Sequence, residues 1–174
     1  MQDSKKSCTF AAVVMAGIYI HIPFCKSRCR YCDFFSTTQL EKREAYIQAV
    51  IQEWQSYQQE WSKQEIRTIY IGGGTPTMLD DMDLTNLINT ILADLPHLPK
   101  EITLEANPCD LTLQKLHCIK QANVNRLSVG IQSFNDSLLT LMGRRHNASQ
   151  AKDAITNAQK VGFDNISIDL IYGI

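Results

Sequence analysis

The sequence has few of the residues that break secondary structure or keep a chain disordered. Eight glycines and five prolines occur among 174 residues, and charged residues make up only 20%. Hydrophobic residues make up 44%, which excludes the compositions of disordered and fibrous proteins. A chain of this length and composition is therefore expected to fold as one domain around a hydrophobic core.

No charge of one sign dominates the sequence. Seventeen basic and eighteen acidic residues give a net charge of −1 at neutral pH. Such a balance creates no overall field that would draw the chain to nucleic acid or to an anionic membrane. We therefore expect small-molecule ligands and no nucleic-acid partner.

A long apolar run is also missing. Residues 10–22 are apolar and follow Lys5 and Lys6, as in a secretory signal peptide, but no small-residue cleavage site follows them. The run is also shorter than the ~20 residues that a transmembrane helix requires. We expect no transmembrane segment and a cytoplasmic protein.

The six cysteines are unevenly distributed. Cys25, Cys29 and Cys32 fall within eight residues, whereas the others lie at positions 8, 109 and 118. This spacing does not resemble a disulfide framework and favours a metal centre in a reducing compartment. Cys109 and Cys118 are expected to be ordinary buried residues.

Three clustered thiolates are compatible with two kinds of metal centre. A 4Fe-4S cluster held by three cysteines keeps one iron open for an external ligand. A structural zinc ion is normally closed by four ligands, and His21 could supply the fourth. The cysteines alone leave both alternatives open.

Hydrophobic periodicity predicts strands that alternate with helices. Strands are predicted at residues 17–22, 66–71, 101–106, 125–130 and 165–171. Helices are predicted at residues 40–62, from a cap at Asp80, at 111–121, at 136–142 and from a cap at Ser149.

This alternation is typical of α/β proteins with a parallel sheet. A complete (β/α)8 barrel usually needs ~250 residues, so the sequence predicts a partial TIM barrel, truncated after the fifth strand. The fifth strand would have no covering helix, and its edge is expected to lie open to other chains. We therefore expect the chain to be a fragment of a longer barrel.

Glycines and polar residues at the predicted strand ends indicate a binding site. Active sites of parallel barrels lie at the carboxyl ends of the strands, and glycine lets the backbone approach a ligand closely. The residues concerned are Tyr19, His21, Gly72, Gly73, Gly74, Thr75, Glu105, Gln132 and Asp169. We expect them to converge on one rim and to favour the open cluster over zinc.

Five motifs, in the order found here, carry a resemblance to a known family. They are Tyr19-Ile-His-Ile-Pro-Phe-Cys25-x3-Cys29-x2-Cys32, Gly72-Gly-Gly-Thr-Pro76, Glu105-Ala-Asn-Pro108, Gly130-Ile-Gln-Ser-Phe134 and Asp169-Leu-Ile-Tyr-Gly173. Together they resemble the anaerobic coproporphyrinogen III oxidase family of radical S-adenosylmethionine (SAM) proteins. The resemblance covers residues 15–174 and implies a (β/α)6 partial barrel.

The resemblance also implies cofactors and residue roles. Cys25, Cys29 and Cys32 would hold a 4Fe-4S cluster, which an electron donor reduces so that SAM is cleaved to a 5′-deoxyadenosyl radical. Gly72, Gly74 and Thr75 would belong to the SAM-binding motif. The residues implied to contact SAM are Tyr19, Tyr31, Gly73, Glu105, Gln132, Arg144 and Asp169.

Within this family, the position two residues after the third cysteine separates two branches. The oxidases resemble a pattern with a further cysteine there, whereas this sequence has Phe34. It is therefore more similar to the HemW branch of haem chaperones, with haem as a possible ligand. The alternative is an oxygen-independent coproporphyrinogen III oxidase, which converts its porphyrinogen to protoporphyrinogen IX by oxidative decarboxylation.

The resemblance also suggests how the chain is divided. HemW-like sequences resemble the run that begins at Met15, so residues 1–14 are expected to be a disordered extension and residues 15–174 the radical SAM core. The haem-binding segment of HemW is expected to lie beyond residue 174.

Overall fold

The computed structural model describes residues 15–173, so the predicted extension at residues 1–14 lies outside the described residues. Five parallel strands form one sheet and pair in chain order. A doubly wound sheet would instead reverse its strand order at a switch point. The strands are β1 (Met15–Ile22), β2 (Glu65–Gly73), β3 (Glu101–Ala106), β4 (Arg126–Gln132) and β5 (Asn165–Leu170).

Helices connect the strands, as the periodicity predicts. They are α1 (Arg43–Ser56), α2 (Gln58–Trp61), α3 (Asp81–Asp94), α4 (Leu113–Gln121), α5 (Asp136–Leu141) and α6 (Ala148–Lys160). The single helix predicted for residues 40–62 is interrupted at Tyr57. Across the interruption, the rings of Trp54 and Trp61 stack 4.4 Å apart, and the Trp61 indole donates a hydrogen bond to the Trp54 carbonyl.

The predicted cap at Ser149 is wrong. The N-cap of α6 is Asn147, whose side chain accepts a hydrogen bond from the Gln150 backbone, while the Gln150 side chain accepts one from the Asn147 backbone. This reciprocal pair satisfies two helix-end donors at once. Asp80 does occupy the N-cap position of α3, but its carboxylate lies 3.6 Å from Arg43 and makes no capping hydrogen bond.

One face of the sheet forms the core of the protein. Alternate residues of β2, β3 and β4 are apolar and pack against the helices, because successive side chains of a strand point to opposite faces. On the three central strands, six of these side chains are almost completely buried: Ile69, Ile71, Ile102, Leu104, Leu127 and Val129.

The opposite face of the sheet is polar. Its side chains include Glu101, Thr103 and Glu105 on β3, where they alternate with the apolar set. The Arg126 guanidinium lies 3.4 Å from Glu101 and from Thr103 on β3, and also 3.4 Å from Ser167 on β5. Polar contacts thus link β3, β4 and β5 across this face.

The last strand is the most exposed part of the sheet. In the described part of the chain, β5 pairs only with β4, and Ile168 and Leu170 are 43% and 55% exposed. The open edge expected for the fifth strand is therefore present. Among residues 15–173, no helix is both long and apolar enough to cross a membrane.

Candidate functional site

A cavity of about 470 Å³ lies at the carboxyl ends of the strands, and it collects most of the predicted site residues. Its volume falls within the range usual for small-molecule sites. The predicted residues that line it are Cys25, Cys29, Tyr31, Cys32, Gly73, Gly74, Thr75, Glu105, Gln132, Arg144 and Asp169. Three other residues expected at this rim, Tyr19, His21 and Gly72, do not line the cavity.

The cysteine loop, residues 23–37, is fastened at both ends. The Cys25 amide donates to the Thr37 carbonyl at 2.9 Å, and the Thr37 amide donates to the Pro23 carbonyl at 2.7 Å. Within the loop, the Arg28 guanidinium donates a hydrogen bond to the Ser36 carbonyl at 3.0 Å. The loop therefore brings its three thiols to the cavity on a backbone fixed by hydrogen bonds.

The glycine run at the end of β2 allows close packing between β2, β1 and the cysteine loop. A Cβ on Gly74 would lie 2.8 Å from backbone atoms of Pro23 and Phe24, where the cysteine loop begins. Gly73 has a φ of +114°, which favours glycine, and a Cβ there would collide with the His21 ring. These glycines let the cysteine loop and β1 pack against the end of β2.

Glu105 is held by two hydrogen bonds. The Tyr70 hydroxyl donates to one carboxylate oxygen at 2.7 Å, and the Gly73 amide donates to the other at 2.9 Å. Burial, reinforced by the adjacent Glu105 carboxylate, raises the pKa of Tyr70 to about 12. Tyr70 therefore stays a hydrogen-bond donor throughout the physiological pH range.

Arg144 connects the cysteine loop to the end of β4. Its guanidinium lies 3.4 Å from the Cys29 sulfur and 3.3 Å from the Tyr31 hydroxyl, and it also donates to the Gly130 carbonyl. Its Nε is buried without a hydrogen-bond partner. Burial raises the pKa of Tyr31 to about 12, although the Arg144 charge acts in the opposite direction.

Gln132 ends β4 in an unusual conformation. Its φ of +69° lies in the left-handed region, which costs energy for a residue with a side chain. The Ile171 amide donates to the Gln132 carbonyl at 2.9 Å, so the end of β5 holds this bend in place. Such strain is common at functional sites, and Gln132 lines the cavity.

Sequence reasoning missed several polar residues that line the cavity, among them Tyr70, Ser128 and Arg145. Arg145 pairs with Asp110 at 3.0 Å, and the Ser128 hydroxyl lies 3.5 Å from both Asp169 oxygens. The alternation of apolar and polar residues could have indicated that Tyr70 and Ser128 lie on the polar face, since each is flanked by apolar residues of its strand. Arg145 carries no comparable signal.

Both ring nitrogens of His21 have hydrogen-bond partners within the protein. One of its ring nitrogens lies 3.0 Å from the Tyr19 hydroxyl and the other 3.1 Å from the Phe35 carbonyl. Within residues 15–173, no three His, Cys, Asp or Glu side chains gather closely enough to bind a single metal ion. In a 4Fe-4S cluster each thiolate binds a different iron, so the sulfurs need not converge on one point.

The remaining described cysteines, Cys109 and Cys118, do not line the cavity. Cys118 points to Asp81 at 3.6 Å, on the helical side of the molecule. Burial raises the pKa of both Cys109 and Cys118, which keeps them protonated. Both are partly rather than completely buried, which corrects the prediction from the sequence.

The sequence profile of the Radical SAM superfamily matches residues 19–174. The chain belongs to the radical SAM superfamily. Two curated relatives are the haem chaperones HemW of Lactococcus lactis and Bacillus subtilis, each 42% identical over 90% and 92% of this chain. This radical SAM chain spans 41% and 43% of their lengths, so it corresponds to about two fifths of those proteins.

Solved structures agree with this assignment. Coproporphyrinogen III oxidase (HemN) from Escherichia coli, a radical SAM enzyme, superposes with a TM-score of 0.84 and 29% sequence identity. The match covers 92% of this radical SAM chain and 38% of the oxidase chain. The five parallel strands therefore form the partial barrel wall that the sequence predicts, and the α/β fold class is confirmed.

Proposed function

We propose that this chain is the cluster- and SAM-binding core of a HemW-type haem chaperone. The supporting observation is the cavity at the strand ends, because one space of about 470 Å³ is lined by three thiols, two carboxylates and Arg144. This donor set suits an iron-sulfur cluster with an open iron and a zwitterionic ligand. The five described cysteines are all free thiols, which fits a reducing, cytoplasmic setting.

Each side of the cavity would have its own role. Cys25, Cys29 and Cys32 would bind three irons, and SAM would occupy the space toward Glu105 and Asp169. These carboxylates would accept hydrogen bonds from the hydroxyl and ammonium groups of SAM, while Gln132 and Arg144 would face its polar end. When bound and reduced, the cluster supplies the electron that cleaves SAM to a 5′-deoxyadenosyl radical.

Phe34 favours the chaperone over the oxidase alternative. It stands where the oxidase pattern has a further cysteine, and its ring is 70% exposed while also lining the cavity. The two HemW relatives are also 42% identical to this chain over 90% and 92% of its length. Haem binding itself belongs to the whole chaperone, of which this chain corresponds to about two fifths.

The cluster is tested by anaerobic reconstitution with iron and sulfide. We expect a brown protein with about four irons per chain, because three cysteines hold a 4Fe-4S cluster. Cys29→Ala should lose this iron, whereas Cys118→Ala should retain it, since Cys118 faces Asp81 on the helical side. Stoichiometric zinc in the native chain, or equal iron loss in both variants, would contradict the assignment.

Product analysis separates the two functions. Incubation with SAM, a reductant and coproporphyrinogen should give no decarboxylated porphyrin, and a haem-loaded chain extended with the HemW C-terminal half should transfer haem to an acceptor. Turnover to protoporphyrinogen IX with stoichiometric 5′-deoxyadenosine would instead establish the oxidase. Chromatography of the porphyrin products and of the haem acceptor measures the two outcomes.

A further inference from the structure

The polar face of the sheet carries a chain of side chains that runs from β2 to β5 along the floor of the cavity. Tyr70, Glu105, Ser128 and Asp169 belong to four successive strands and all line the cavity. Glu105 and Ser128 are register partners across β3 and β4, which places their side chains next to each other. We infer that Tyr70 and Ser128 are positioning residues that hold the two carboxylates of the proposed SAM site.

Tyr70 is suited to this role because it contacts two residues of the predicted site. Its hydroxyl donates to Glu105 at 2.7 Å, and its ring stacks on Tyr19 with centroids 6.0 Å apart. The Gly73 amide holds the other Glu105 oxygen, so the carboxylate is fixed at both oxygens. A group fixed before the ligand arrives binds it more tightly, since less ordering is left to the binding step.

Ser128 extends the chain to Asp169. Its side chain is buried, and its hydroxyl lies 3.5 Å from both oxygens of the exposed Asp169 carboxylate. Each of the two carboxylates thus has a hydroxyl group of a neighbouring strand within hydrogen-bond distance.

The inference rests on the proposed function, because the carboxylates matter only if SAM binds between them. Tyr70→Phe removes the hydroxyl and keeps the ring that stacks on Tyr19. We expect the dissociation constant of SAM to rise about tenfold, the lower end of the range for a hydrogen bond to a charged group. The dissociation constant is measured by titrating SAM into the reconstituted protein and monitoring the electron paramagnetic resonance signal of the reduced cluster.

A double-mutant cycle distinguishes positioning from a direct contact with SAM. If Tyr70 acts through Glu105, Tyr70→Phe should change the dissociation constant less than about twofold in a Glu105→Gln background. An equal fold-change in both backgrounds, or no change in the native one, would overturn the positioning role. Ser128→Ala should show the same pattern against Asp169→Asn.

Tyr46→Phe is the matched control. The Tyr46 hydroxyl also donates a 2.7 Å hydrogen bond, to the His21 carbonyl, but Tyr46 does not line the cavity. Tyr46→Phe should leave the SAM dissociation constant unchanged. An increase equal to that of Tyr70→Phe would overturn the inference, because loss of a tyrosine hydroxyl outside the cavity would then weaken SAM binding equally.

Urea unfolding provides a measurement that needs no SAM. The unfolding free energies of Tyr70→Phe and Glu105→Gln should be non-additive, since the two groups share one hydrogen bond. If the protein binds SAM but the two unfolding free-energy changes are additive, the Tyr70–Glu105 coupling is wrong and the proposed function remains intact. A native chain that binds no SAM would overturn the proposed function and the positioning role, even with non-additive energies.

Discussion

The two faces of the sheet are built from neighbouring residues of the same strands, yet their environments are opposite. On β3, Leu104 is completely buried beneath the helices, whereas Glu105 faces the cavity and accepts hydrogen bonds from Tyr70 and Gly73. A shift of one residue in strand register would exchange the two sets. One face therefore supplies stability and the other face supplies the site, and substitutions on each should have different effects.

The largest effect on folding is expected at Leu104. Leu104→Ala removes a completely buried side chain from the central strand and should lower the free energy of unfolding by about 2–5 kcal/mol. Urea denaturation measures this loss. Leu113→Ala is the control, because Leu113 on α4 is 48% exposed and its removal leaves no enclosed cavity. Equal losses at the two positions would show that the apolar face is not the main source of stability.

The alternation that separates the faces is visible in the sequence, which is why the strands and the parallel sheet could be predicted. The residues of the site could be predicted where a family motif contains them, as for Glu105 and Asp169. The alternation places Tyr70 and Ser128 on the polar face, but their contacts with Glu105 and Asp169 could not be predicted, because these depend on which strands become neighbours and in what register. Helix caps depend on equally local geometry, and for this reason the cap predicted at Ser149 lies two residues after the observed N-cap, Asn147.

The next largest effect is expected at Glu105, on the opposite face from Leu104. Glu105→Gln should weaken SAM binding about ten- to a hundredfold, because a charge-assisted hydrogen bond is worth roughly 1.5–3 kcal/mol. Iron content should not change, since the cysteine loop is fastened by its own hydrogen bonds. Asp169→Ala should behave similarly. Unchanged dissociation constants, measured on reconstituted protein, would remove both carboxylates from the site.

A smaller effect is expected for an ion pair on the helical side. Lys115 on α4 is almost completely buried and lies 2.7 Å from Asp81 on α3. Asp81→Asn should therefore lower the free energy of unfolding by about 1–3 kcal/mol at neutral pH. Asp80→Asn is the matched control, because the Asp80 carboxylate is 71% exposed and its distance to Arg43, 3.6 Å, is longer.

The pH dependence of this pair has a defined sign. The hydrogen bond from Lys115 lowers the pKa of Asp81 below its ordinary value of 3.8. The stabilisation is therefore fully present above pH 3.8 and is lost as the pH falls through the lower folded-state value. The difference between native protein and Asp81→Asn should stay constant down to mildly acidic pH and then shrink. A difference that shrinks already near neutral pH would contradict the pairing.

The smallest effect is expected for the ion pair on the polar face. Arg126 and Glu101 are 3.4 Å apart, and their side chains are 28% and 37% exposed, so water screens their attraction. Glu101→Gln should lower the free energy of unfolding by less than about 1 kcal/mol. This small loss should disappear at about 1 M salt, where the screening length is roughly 3 Å. Chemical denaturation in urea at low and high salt measures both quantities. If Glu101→Gln destabilises the protein as much as Asp81→Asn does, the polar face also stabilises the fold, and the division between a stabilising face and a binding face is wrong.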